Sequence, residues 1–196
     1  MKKEILLCGV GGQGTVLASK LLAASGLSLN IPVRSAETIG MAQRGGSVTS
    51  HVRIGEGCYS PLIADNQADL ILSFEVCEAV RNLHFLKKDG TVITSSNSIK
   101  PVTSSLSGKV FDSNEMISYL EKNCRKVIVV DNTELCKEFG SDKFFNVILL
   151  GVACGAGVLG IEKEVMKDQI SKNVKPAFVE KNLLAFEKGF ALGQGK

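Results

Sequence analysis

Short apolar runs alternate along the chain with longer stretches of helical spacing. Ile5-Leu6-Leu7-Cys8 is continuous, as in a strand buried on both faces, and it runs into a glycine turn. Beyond the turn, Leu17, Leu21 and Ala24 mark one face of a helix. Val16, Ala18, Leu22 and Ala23 make that helix apolar almost all round, so it is expected to be covered on more than one side, with Gly26 ending it. A short second strand is predicted over Ile31–Arg34. Ser47 to Ile54 alternates with period two, as a half-exposed strand does, and Gly55-Glu56-Gly57 closes it. Leu70-Ile71-Leu72 reads as a buried parallel strand. A helix from Glu75 to Leu86, a turn at Asp89-Gly90 and a strand over Thr91–Thr94 follow it. Asp112 and Glu115 have capping-box spacing and open a helix with Met116, Ile117 and Leu120 inward. Val127–Val130 is the last clear strand. The remainder reads as helices over Asn146–Gly157, Glu162–Lys172 and Ala177–Leu192, the last with Val179, Leu183, Phe186 and Phe190 on one stripe. Ser95–Gly108, rich in Ser, Thr and Pro, is expected to be a surface loop. Strands separated by helices predict an α/β fold: a Rossmann-like, mainly parallel sheet, helices on both faces and a helical C-terminal third, in one domain over residues 1–196.

Composition narrows the function classes. Hydrophobic residues make up 44% of the 196 and charged residues 22%, as in soluble globular proteins. The net charge of +3 comes without a Lys/Arg block, so nucleic-acid binding has no electrostatic footprint. The apolar run after Lys2-Lys3 is too short for a secretion signal. The longest apolar stretch, Val147 to Ile161, is interrupted by Gly151, Gly155, Gly157 and Gly160 and is too short for a membrane span. A cytoplasmic protein without membrane contact is expected. Cys8, Cys58, Cys77, Cys124, Cys136 and Cys154 show no Cys-x-x-Cys pair, which predicts structural thiols rather than a resident iron–sulfur cluster or zinc site.

Two stretches carry candidate chemistry. Gly9-Val10-Gly11-Gly12-Gln13-Gly14 lies between the first strand and the first helix. Gly9 is expected to take the tight turn, Gly11 to admit a ligand or another backbone, and Gly14 to let helix and strand approach. The helix behind it presents free N–H groups to an anion. A dinucleotide site would also need an acid about 20 residues on. Glu37 is the one candidate, which leaves an NAD(P)-binding oxidoreductase or a nucleotide-responsive binding module as alternatives. The second stretch, Ser35 to Ser47, reads as a loop holding Gln43 and Arg44 before the pair Gly45-Gly46, with the guanidinium free to fork onto a carboxylate or phosphate. His51 and His84 lack a nucleophile pattern and read as packing or surface residues. No paired carboxylates stand in a setting expected to shift their pKa, and no residue is assigned a catalytic role. The Gly151-x-x-x-Gly155 stripe predicts close helix packing, on the sheet or between subunits, with a homodimer of the isolated chain as one outcome.

Together these stretches resemble the gamma-type domain of the 2-oxoacid:ferredoxin oxidoreductases. The likeness rests on Gly-Val-Gly-Gly-Gln-Gly-Thr at 9–15, Ala-Glu-Thr-Ile-Gly-Met-Ala-Gln-Arg-Gly-Gly-Ser-Val at 36–48 and Ser-His-Val-Arg at 50–53. It continues through Tyr59-Ser60-Pro61-Leu62-Ile63, Ala68-Asp69-Leu70 and Phe74-Glu75. Met41 to Gly46 and Phe74 to Arg81 are most similar to the beta subunit of the indolepyruvate branch. Ile39 departs from that branch, which often has histidine before the glycine. The resemblance implies oxidative decarboxylation of an aryl 2-oxoacid with coenzyme A to acyl-CoA, carbon dioxide and reduced ferredoxin. It places thiamine diphosphate and the iron–sulfur clusters on a larger alpha subunit. This chain would then be an accessory subunit, inactive alone and binding no cofactor by itself. Gln43, Arg44 and Gly45 would face the partner or coenzyme A, with Gly11, Gly12 and Gln13 as a second contact.

Overall fold

The computed structural model describes residues 2–39, 45–99 and 112–196. Six strands form one sheet: β1 (Lys3–Val10), β2 (Val33–Ile39), β3 (Ser47–Ile54), β4 (Ala68–Ser73), β5 (Leu86–Ser95) and β6 (Lys126–Val130), in the order β2-β3-β1-β4-β5-β6. The β1–β4, β4–β5 and β5–β6 pairs are parallel. Only β3 runs the other way, between β1 and β2. The expected α/β architecture, mainly parallel with helices on both faces, is what the chain adopts.

The apolar runs explain the layering. Side chains alternate across a strand, so Ile5 and Leu7 of β1 enter one core while Leu6 and Cys8 enter the other. The first core is capped by α1 (Thr15–Ser28), α4 (Asn132–Phe139), α5 (Phe145–Gly155), α6 (Lys163–Asn173) and α7 (Val179–Gln194). The second lies under α2 (Val76–Arg81) and α3 (Ser113–Asn123), where Val76, Ala79 and Leu120 are buried. Asp112 caps α3 by accepting from the N–H of Asn114, as its spacing predicts.

Several expectations shift. Gly26 does not end α1. It sits within the helix, where a Cβ would lie 2.7 Å from Val33 and 3.2 Å from Ile54. The second strand extends to Ile39, so Ser35 to Ile39 pair with β3 instead of opening a loop. The helix after β4 stops at Arg81 and passes through a 3-10 turn (Leu83–Phe85) directly into β5. Asp89-Gly90 thus becomes an irregularity inside that strand, with Gly90 packed on Leu86 and the Ala68 carbonyl. The Ser95–Gly108 loop lies outside the described residues from 100 onward.

The glycine stripe of α5 is absorbed within the chain. A Cβ on Gly151 would stand 2.3 Å from the Phe186 carbonyl, and one on Gly155 2.1 Å from the Phe190 carbonyl. Gly189 and Gly193 of α7 make the reciprocal approach to Ile148 and Val152. The two backbones touch directly, so this stripe faces α7 rather than the sheet or a second subunit.

Candidate functional site at the glycine turn

The parallel strands bring their exits to one end of the sheet, where open α/β folds carry their ligands. The turn after β1, Phe74 after β4, Asn97–Ile99 after β5 and Asn132 after β6 line a cleft of about 370 Å³ there. Lys143 and Asp142, from the connection between α4 and α5, close its far side.

The glycines serve different ends from those expected of some of them. Gly9 is still in β1, where a Cβ would meet Gln13 Oε1 at 2.7 Å and Phe74 Cβ at 3.1 Å. Gly14 caps α1 at φ +87°, and its close approach is to α5, with a Cβ falling 2.4 Å from Asn146 Nδ2. The Asn146 amide donates to the Gly14 carbonyl at 3.2 Å. Gly12, at φ +104°, has nothing within 4 Å of where a Cβ would be and stands open to the cleft. Gln13 turns inward as a brace: Oε1 accepts from the Val10 N–H at 2.7 Å and Nε2 donates to the Phe74 carbonyl at 3.1 Å. Val10 ends β1 and Phe74 follows the neighbouring β4, so one side chain fixes the turn against β4.

The two candidate stretches meet. Gly11 donates to the Gly46 carbonyl at 2.9 Å, and Gly45, at φ +81°, donates back to the Gly11 carbonyl at 3.4 Å. Gln43 and Arg44 lie outside the described residues.

Beneath this junction lies a pair of buried acids, contrary to the expectation that none has a shifted pKa. Glu75 is 1% exposed and Glu78 4%. Glu75 accepts from the N–H groups of Glu78 (2.9 Å) and Ile99 (3.1 Å), tying α2 to the exit of β5. Burial pushes its carboxyl above the ordinary value, and Glu78 nearby adds to the effect. Glu78 accepts from the Ser47 hydroxyl at 2.5 Å and pairs with Arg81 at 3.2 Å, tying the start of β3 to α2. The sequence signal was Phe-Glu-x-x-Glu directly after a buried strand. What it lacked was any sign that both carboxylates point inward.

The dinucleotide alternative loses its acid. Glu37 is exposed on edge strand β2, with β3 between it and β1, and it accepts from the Ser19 hydroxyl of α1 at 3.0 Å. The histidines behave as expected. His51 is buried, its Nδ1 accepts from the Ile63 N–H at 3.2 Å, and burial holds its pKa below the usual value; His84 is exposed. Four of the cysteines are buried, and burial pushes the Cys8 thiol to about 12. Among the described residues no three His, Cys, Asp or Glu side chains gather as metal ligands, and no helix is long and apolar enough to cross a membrane.

A profile of the pyruvate ferredoxin/flavodoxin oxidoreductase family matches residues 4–192, nearly the whole chain. The chain belongs to this family. Among its relatives, the indolepyruvate oxidoreductase subunit IorB of Thermococcus kodakarensis is 36% identical over 188 residues, covering 95% of this chain and 93% of that one. The pyruvate/ketoisovalerate oxidoreductases common subunit gamma of the same organism is 27% identical over 192 residues, covering 95% of each chain. The expected likeness to the indolepyruvate branch is thus borne out over 95% of the chain. The fold agrees with the keto/oxoacid ferredoxin oxidoreductase gamma subunit of Geobacter sulfurreducens, with TM-score 0.71, 22% identity and 99% of both chains covered.

Proposed function

We propose that this family member is the accessory subunit of a heteromeric indolepyruvate-type 2-oxoacid:ferredoxin oxidoreductase. The complex would convert an aryl 2-oxoacid and coenzyme A to acyl-CoA and carbon dioxide, with electrons passing to ferredoxin. The observation that carries the reading is the junction of the glycine turn with Gly45-Gly46, in a chain whose likeness to indolepyruvate oxidoreductase subunits spans 95% of its length. Thiamine diphosphate and iron–sulfur clusters would supply the carbanion and one-electron steps from the larger subunit. Among this chain's described residues, no three His, Cys, Asp or Glu side chains gather to hold a cluster. The cleft does fit part of an anionic ligand: Gly12 leaves room for close approach, the first turn of α1 carries no acid, and Lys143 lies across the cleft beside Asp142. Coenzyme A is the ligand of the reaction with phosphates to place there. In the assembled complex, Arg44→Ala is expected to lower acyl-CoA formation and weaken coenzyme A. Full activity with unchanged coenzyme A affinity would remove Arg44 from the site.

A further inference from the structure

A larger hollow lies among the helices beside the glycine cleft, with which it shares Lys143. It measures about 630 Å³, a volume that suits a small organic ligand. Its floor is apolar, from Leu17 of α1, Phe139 of α4, Phe144 and Val174. Phe178, on the 3-10 turn before α7, stands half exposed at its edge. Phe139 and Phe144 lie with ring centroids 6.1 Å apart, so the floor offers aromatic edges and faces to a flat guest. Lys143, Lys175 and Lys181 join Ser141, Asn173 and Asn182 on the polar side of the lining, which contains no acid. None of these lysines has an ion-pair partner among the described residues. Asp142, next to Lys143 in the chain, lines the glycine cleft, and Glu138 and Glu187, in the shallow depression beyond Lys181, are already engaged. Lys188 pairs with Glu138 at 2.9 Å, and Lys163 and Lys167 with Glu187 at 2.5 and 2.8 Å.

We infer that this hollow is a binding site for an aryl carboxylate, its ring on the phenylalanine floor and its carboxylate among Lys143, Lys175 and Lys181. Three uncompensated ammonium groups over an apolar floor favour a guest with one charged end and a flat apolar body. The inference does not rest on the role proposed for the glycine cleft, although the two share Lys143, and its test needs neither a partner nor turnover.

The chain has no tryptophan, so the fluorescence of an indole ligand, excited beyond the absorption of the two tyrosines, is read without tryptophan background. The chain of residues 1–196 is titrated with indole-3-acetate and followed by ligand anisotropy. One saturable site is expected. Indole-3-acetamide, the same ring without the charge, should bind about tenfold more weakly, the loss of one charge-assisted contact. Lys175→Gln with Lys181→Gln should weaken the acid by a similar factor while leaving the amide unchanged; both side chains are exposed, and Lys143, shared with the glycine cleft, is left intact. Phe178→Ala should weaken acid and amide alike. The proposal is overturned by the absence of saturable binding, by equal affinity for acid and amide, by an unaffected lysine double variant, or by octanoate binding as tightly as the aryl acid.

Discussion

Two sets of glycines do opposite work in this protein. Gly151, Gly155, Gly189 and Gly193 let α5 and α7 pack main chain on main chain, where any Cβ would fall 2.0 to 2.3 Å from a carbonyl oxygen. Gly12 and Gly45, both at positive φ, have nothing within 4 Å of the missing Cβ. The first set closes space and the second keeps it open. The positive φ of the second set serves the turn itself, while the absent side chain leaves the space above Gly12 free at the strand exits.

The contrast breaks first at the helix pair. Gly189→Ala puts a methyl 2.0 Å from the Ile148 carbonyl, so the helices must separate. A loss of about 3 kcal/mol in urea unfolding is expected, and one well under about 1 kcal/mol would mean the contact is slack. Gly12→Ala meets no neighbour and bears only the strain of its φ, about 1–2 kcal/mol. Its main effect should instead be on coenzyme A-dependent turnover of the assembled complex. Gln13→Ala removes the brace to Val10 and Phe74, with an expected cost of about 1–2 kcal/mol in the same unfolding assay. The smallest effect is on pH dependence. His51 is held neutral by burial, so its contribution is present above pH 6.5 and is lost as the pH falls through its depressed folded value. Glu75 works the other way: its carboxyl is raised, so its contribution is present below pH 4.5 and is lost as the pH rises through the folded value. Stability curves of His51→Gln should lose the slope on the acid side of 6.5 and keep the one due to Glu75.

The elements that could be read from sequence are those whose pattern survives burial. Continuous runs such as Ile5–Cys8 and Leu70–Leu72 are apolar because both faces of the sheet are covered, and the stripe through Leu183, Phe186 and Phe190 is the inner face of α7. Edge strand β2 has no such pattern, since Arg34, Ser35, Glu37 and Thr38 are all exposed, and its reach to Ile39 was missed. α4 was missed although its signals were present: Asp131 accepts from the Thr133 N–H, Glu134 sits in the first turn, and Gly140 at φ +68° ends it. The reversed direction of β3 and the inward turn of Gln13, Glu75 and Glu78 depend on which segments meet across the sheet, and no local spacing carries that.

The proposed role is that of a chain without its own reaction centre, completing one carried by a partner. The most direct measurement is ferredoxin reduction driven by an aryl 2-oxoacid and coenzyme A, with this chain alone, with the larger cluster-bearing subunit alone, and with both. Turnover is expected only from the pair. Turnover by this chain unaided, or equal rates from the partner with and without it, would contradict the account.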